Sequence, residues 1–183
     1  MKICSVAKKS LALVLTAAVA LGAVIAAPSK AEAKSYKAVM YYSDVNWYWD
    51  GGNDGSTDPN KTAVTVKGKK GKATYTVTLK NKKSKKAACQ VLCIDIPDLL
   101  KKYKKVSVSK VSVKVDGKKV KGLKKVSYGA LESNKEPNKF RISIYNAVGS
   151  KTLGDKTSSY GAAYGKKFAF KKKISVTFTL KLK

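Results

Sequence analysis

Ile174-Ser175-Val176-Thr177-Phe178-Thr179-Leu180-Lys181-Leu182 places an apolar residue at every even position and a polar one at every odd position. Side chains on a strand point alternately to its two faces, so a period of two predicts a half-buried strand with one wet face. Working back from this stretch, Phe140-Arg141-Ile142-Ser143-Ile144 and Tyr75-Thr76-Val77-Thr78-Leu79 repeat the pattern. Val106, Val108, Val111, Val113 and Val115 alternate too, but their phase slips by one between Val108 and Val111. Such a slip would turn half of the valines to the wrong face, and a β-bulge near Ser109-Lys110 repairs it. Asp116-Gly117 is a two-residue hairpin signal, because a type I′ turn needs positive φ at both central residues.

Residues 87–96 are apolar at nearly every position, which predicts a central strand covered on both faces. Pro97-Asp98-Leu99-Leu100-Lys101-Lys102-Tyr103 carries Leu99, Leu100 and Tyr103 at helical spacing and reads as one short helix. Many short strands divided by turn signals predict an all-β fold, an antiparallel, jelly-roll-like β-sandwich.

The amino-terminal segment has a different character. Lys2, Lys8 and Lys9 precede residues 11–27, an uncharged stretch of mostly Leu, Ala and Val that Pro28 ends. Ala31-Glu32-Ala33 then offers the small residues a signal peptidase requires, so a signal peptide over residues 1–33 is expected. The alternative is an uncleaved anchor, but the stretch is shorter than the roughly 20 apolar residues that span a bilayer. Cleavage would release a secreted protein without stable membrane insertion, a single domain over residues 34–183.

The chain carries 39 basic and 11 acidic residues; removing the leader's four lysines and one glutamate leaves 35 against 10, a net charge of +25. Arg141 is the only arginine. Lysine is a hydrated point charge, poorly suited to bidentate recognition of base edges, so no specific nucleic-acid partner is expected. Lys69-Lys70-Gly71-Lys72, Lys82-Lys83-Ser84-Lys85-Lys86, Lys101-Lys102 and Lys104-Lys105 fall at turns and at the helix end. They form either a solvated surface that discourages edge pairing or clusters that hold anionic polymers.

Cys89 and Cys93 are the cysteines of the mature chain. On one strand their Cα atoms stand about 13 Å apart, and a disulfide tolerates less than about 7 Å, so both are expected as buried, unbridged thiols. With no histidine in the chain, zinc sites and the usual catalytic triads lose their main residue. Glu132, Glu136 and the loop aspartates show no identifiable carboxylate pair for glycoside hydrolysis. No enzyme is expected.

Residues 38–60 stand apart, holding no lysine or arginine but five aromatics, Tyr41, Tyr42, Trp47, Tyr48 and Trp49, and four acids, Asp44, Asp50, Asp54 and Asp58. Sugars pack their C–H faces on aromatic rings, donate their hydroxyls to carboxylates, and exchange hydrogen bonds with amides, which orients them. Trp47, Trp49 and Tyr48 are therefore the candidate platform, with Asp44, Asn46, Asp50 and Asn53 as candidate polar partners. The competing reading puts these aromatics in the sandwich core. Asp50, Asp54 and Asp58 also match positions one, five and nine of an EF-hand-like loop, but Gly52 and Lys61 stand where further ligands belong. That leaves them as candidates for a looser structural calcium site, and no other cofactor is expected.

Several strings occur in a telling order. Trp47-Tyr48-Trp49 is followed by Gly71-Lys72-Ala73-Thr74-Tyr75-Thr76-Val77-Thr78-Leu79 and Val111-Ser112-Val113-Lys114-Val115-Asp116-Gly117-Lys118. Tyr128-Gly129-Ala130-Leu131-Glu132, Phe140-Arg141-Ile142-Ser143-Ile144-Tyr145-Asn146 and Val176-Thr177-Phe178-Thr179-Leu180 complete the set. Their succession resembles the β-sandwich carbohydrate-binding modules of secreted glycoside hydrolases from anaerobic Gram-positive bacteria. The resemblance implies a non-catalytic sandwich that binds polysaccharide. A lysine-rich attachment protein, holding anionic cell-wall or glycan polymers, is the alternative.

Overall fold

The alternating stretch forms β10 (Lys173–Leu182), which runs between β4 (Gly71–Lys80) and β6 (Val106–Val115) in a four-stranded sheet that β7 (Lys118–Lys119) completes. The computed structural model describes residues 34–46, 49–50, 62–81, 87–131, 138–149 and 155–183, with Trp49 and Asp50 described by their backbone. They belong to one unit, Ala33–Lys183. The leader expected over residues 1–33 lies outside the described residues.

A second sheet has the order β1 (Ser35–Asp44), β5 (Cys89–Ile96), β9 (Phe140–Asn146), β8 (Ser127–Ala130). Two short strands, β2 (Trp49–Asp50) and β3 (Val64–Lys67), pair with opposite ends of β1. Every pairing is antiparallel, and the chain passes repeatedly from one sheet to the other, the interleaving of a jelly-roll-like sandwich.

The sheets close on one interior. Met40, Tyr42, Leu92, Ile94, Ile142 and Ile144 come from one side, and Val77, Val113, Val176 and Phe178 from the other, all with no exposed surface. Each such side chain contributes about 1.5–3 kcal/mol by leaving water.

The local signals in the sequence find their structures. Thr177 pairs with Ser112 and Thr179 with Ser109, so Lys110 and Val111 together oppose Phe178. That is the bulge which restores the valine phase, and Lys110 takes a positive φ of 51° in it. Asp116 and Gly117 have φ of 49° and 87°, the two positive values that the hairpin requires. The Asp116 carboxylate also accepts the backbone N–H groups of Lys171, Lys172 and Lys173 at 2.8, 2.6 and 2.9 Å, tying the hairpin to the start of β10.

β5 is central and buried on both faces, as its apolar run predicts. Its register carries two irregularities. Ser43 and Asp44 pair with Val91 and Cys89, leaving Gln90 as an extra residue, while Leu92 and Cys93 pair with Tyr145 and Ser143, leaving Ile144 as an extra residue on β9. Cys89 consequently joins the interior and Cys93 the outer face, and both are free and buried.

The expected helix is α1 (Leu99–Lys102), which buries Leu99 and is followed by the buried Tyr103, whose hydroxyl donates to the Gly68 carbonyl. A second single turn, α2 (Ala162–Gly165), carries no equivalent expectation. It lies between 3-10 turns at Thr157–Tyr160 and Lys166–Phe168 and approaches the sheet very closely. A Cβ on Gly165 would meet the Cys89 carbonyl oxygen at 2.1 Å, so only glycine fits.

One expectation fails in β9. The alternation of Phe140-Arg141-Ile142-Ser143-Ile144 implies a wet face, yet Ser143 is wholly buried and Arg141 half-buried. The outer side of this sheet holds its own apolar patch of Val39, Tyr41, Val91 and Cys93, with Ala63 packed against it. Arg141 and Ser143 find protein partners there in place of water, Arg141 on the Asp95 carboxylate and Ser143 on the Cys93 thiol.

Candidate functional site

The acidic and aromatic segment begins at the end of β1. Asp44 is buried, and its Oδ1 accepts the Asn46 amide at 2.9 Å while Oδ2 accepts the Ala87 amide at 3.3 Å. The Val45 amide donates to the Ala88 carbonyl at 2.9 Å, so the turn is tied down on two sides. Tyr42 then pairs with Asp50 and Ser43 with Trp49, closing the hairpin at the edge of the six-stranded sheet. Val45 and Asn46 are exposed at the turn.

The five aromatics of the segment divide. Tyr42 is a core residue, its ring edge-on to Phe170 at 5.1 Å and its hydroxyl donating to the Phe168 carbonyl at 3.3 Å. Tyr41 is buried on the outer face, with the Arg141 guanidinium 5.2 Å and the Lys139 ammonium 5.4 Å from its ring centre. For these two the core reading holds. Trp47, Tyr48, Asn53, Asp54 and Asp58 lie outside the described residues, as do the side chains of Trp49 and Asp50. Among the described residues, no group of three or more His, Cys, Asp or Glu could hold a metal ion.

Beneath Tyr41 lies an ionic cluster that the sequence reading missed. Asp95, with no exposed surface, accepts Nε and a terminal nitrogen of Arg141 at 2.6 and 2.7 Å, and the buried Lys139 approaches at 3.4 Å. Burial alone would lower the pKa of Arg141, but the Asp95 carboxylate outweighs it and holds the guanidinium charged, above its ordinary range. Burial pushes the neighbouring Cys93 thiol up to about 12, against the pull of Arg141, so it is neutral and unreactive. This cluster is structural. Its signal in the sequence was a lone Asp in an apolar strand and the chain's only arginine.

The outer face of the four-stranded sheet is the second surface of note. The side chains that alternate with the core residues of β4, β10 and β6 form rows across the strands: Lys72, Lys181, Ser107; Thr74, Thr179, Ser109; Thr76, Thr177, Ser112; Thr78, Ser175, Lys114; and Lys80, Lys173. Facing hydroxyls bond at 2.8 Å for Thr74 with Thr179, 2.8 Å for Thr76 with Thr177, and 2.9 Å for Thr78 with Ser175. The wet face of β10 was legible in the sequence, but the rows are not, because they depend on the register of three strands.

A shallow groove of about 340 Å³ opens beside this face, lined by Val108, Val111, Leu123, Lys110, Lys125 and the exposed Tyr128 among others. Among the described residues no helix is long and apolar enough to cross a membrane. Comparison with known protein families, curated proteins and solved structures finds no match to this chain.

Proposed function

We propose that this chain is a secreted, non-catalytic glycan-binding protein, a sandwich of the kind used by carbohydrate-binding modules. Its ligand stacks on Trp47, Trp49 and Tyr48, while Asn46, Asp50 and Asn53 hydrogen-bond to sugar hydroxyls. The observation that carries this reading is the anchored base of the β1–β2 hairpin, where Asp44 gives its carboxylate to two backbone amides. Tying down residues 44–46 fixes the point at which the segment leaves the sheet, and preorganisation lowers the entropic cost of binding. Asp44 thus shapes the site instead of touching the sugar.

Trp47→Ala and Trp49→Ala test the reading. Loss of a stacking platform should weaken polysaccharide binding by about 1–3 kcal/mol with little change in melting. Truncation of a core tryptophan would instead cost about 3–5 kcal/mol of stability and leave binding by the folded fraction unchanged.

A second reading, attachment to anionic glycan polymers, is favoured by the lysine and hydroxyl rows on β4, β10 and β6. Salt separates the two, since stacking on a neutral sugar barely responds to ionic strength while ionic attachment weakens as screening shortens.

A further inference from the structure

The outer face of β4, β10 and β6 presents hydroxyls and ammonium groups and no carboxylate. Lysine stands directly opposite lysine at both ends, Lys72 against Lys181 and Lys80 against Lys173. Lys114 faces Lys119 on β7 as well. Like charges paired across strands destabilise a sheet, and a single Glu in any of these pairs would relieve the repulsion. The strands retain the repulsion at three places on one face.

Between the two lysine ends lie the three hydroxyl pairs. In each pair one hydroxyl donates to the other, and the acceptor's own proton is left over for a ligand oxygen, with Thr74 the accessible member of its pair because Thr179 is buried. The rows recur about every 6.8 Å, twice the rise of a strand residue. The face therefore offers a regular file of neutral donors and acceptors between fixed positive ends.

We infer that this face binds a linear anionic glycan laid along the strands, its charged substituents on the lysine pairs and its hydroxyls on the Thr and Ser rows. The inference rests on the second reading above and assigns it a location. Charge complementarity selects a polyanion. A membrane surface is disfavoured, because the rows supply no apolar side chain to enter the interface. Single-stranded nucleic acid is disfavoured too, since the rows contain no aromatic on which bases could stack. Hydroxyl rows that both donate and accept suit a sugar chain, whereas a simple polyphosphate needs cations alone.

The test compares two variants of equal net charge, with heparin as the probe at about 0.15 M salt. One carries Lys72→Gln, Lys80→Gln, Lys173→Gln and Lys181→Gln; the other carries Lys104→Gln, Lys121→Gln, Lys156→Gln and Lys166→Gln, exposed positions off the face. The face variant should lose about tenfold or more in affinity and the control about twofold or less. The face variant should also melt higher than the control, because it removes the opposed charges. A Thr76→Val, Thr177→Val double variant, unchanged in charge, should lose about threefold.

Equal losses in the two lysine variants would mean diffuse attraction to a cationic protein and would overturn the inference while leaving the second reading intact. Failure of the unmodified protein to bind heparin would overturn that reading itself. Binding to phosphatidylglycerol vesicles that the face variant loses, with heparin binding kept, would transfer the face to membranes and also sink the proposal. Should the face variant fail to fold, Lys114→Gln with Lys119→Gln poses the same question at the hairpin end of β6 and β7, with about threefold loss expected.

Discussion

Asp95 serves two cations at once, and that asymmetry has a measurable consequence. Arg141 holds both of its oxygens, and Lys139 shares Oδ2. Breaking a buried ion pair by neutralising one partner typically costs about 3–5 kcal/mol, because the other charge stays buried without compensation. Asp95→Asn takes the shared carboxylate from both cations and should fall at the top of that range. Arg141→Met keeps Lys139 on the carboxylate and adds apolar contact with Tyr41, so it should cost clearly less. Urea denaturation of the two variants decides the matter, and an Arg141→Met protein as unstable as Asp95→Asn would contradict the shared-carboxylate account. The pair was half visible in the sequence. A charged residue in an apolar strand needs a buried partner, but only the register that sets Asp95 opposite Arg141 identifies it.

At the scale of elements, the hairpin and the bulge were legible because each is written in a few adjacent residues. Asp-Gly fixes its own backbone, and a phase slip among valines has one local remedy. The hydrophobic turn of α2 was missed although Tyr160, Tyr164 and Phe168 recur every four residues and meet edge to face at 5.2 and 5.1 Å. The buried outer side of β9 was not legible at all, since alternation records polarity and not whether a polar side chain finds its partner in water or in protein. The Asp116 clasp leads to a pH dependence. Burial would raise its carboxyl pKa, but three backbone donors outweigh this and hold it below the ordinary 3.8. A carboxyl with a lowered folded pKa stabilises the native state fully above its unfolded pKa, and that contribution is lost as pH falls through the folded value. Below pH 3.8 the unmodified protein should therefore lose stability more steeply than Asp116→Asn, as thermal melts across that range would reveal. Parallel curves would mean that the clasp does not depend on the ionised carboxylate.

For the whole molecule, the sequence carried the fold class because a sandwich needs only strands with one apolar face, and β10, β4 and β6 announce theirs. The surfaces that bear on function were less readable. The lysines looked like turn clusters along the chain, whereas Lys72, Lys80, Lys173 and Lys181 come together only through the pairing of strands about a hundred residues apart. The thiols test the whole assembly, for both sit in strands that open only when the sandwich does. Neither Cys89 nor Cys93 should react with iodoacetamide in the native protein, and both should react in denaturant without prior reduction. Intact mass provides the reading, and a thiol that labels only after reduction would contradict the strand assignment.

The two register irregularities around β5 reach further than packing. The one on β5 itself, at Gln90, turns Cys89 inward while Cys93 stays outward and leaves a sheet between the sulfurs, so the folded protein holds no geometry in which a bond could close. A pair of cysteines four residues apart is ordinarily a hazard during folding in an oxidising medium, where a wrong loop can be locked. Here the native state excludes that loop, and glutathione, reduced or oxidised, has nothing in it to make or break. The native state is consequently indifferent to the redox poise of its surroundings, and only the unfolded chain can respond to it.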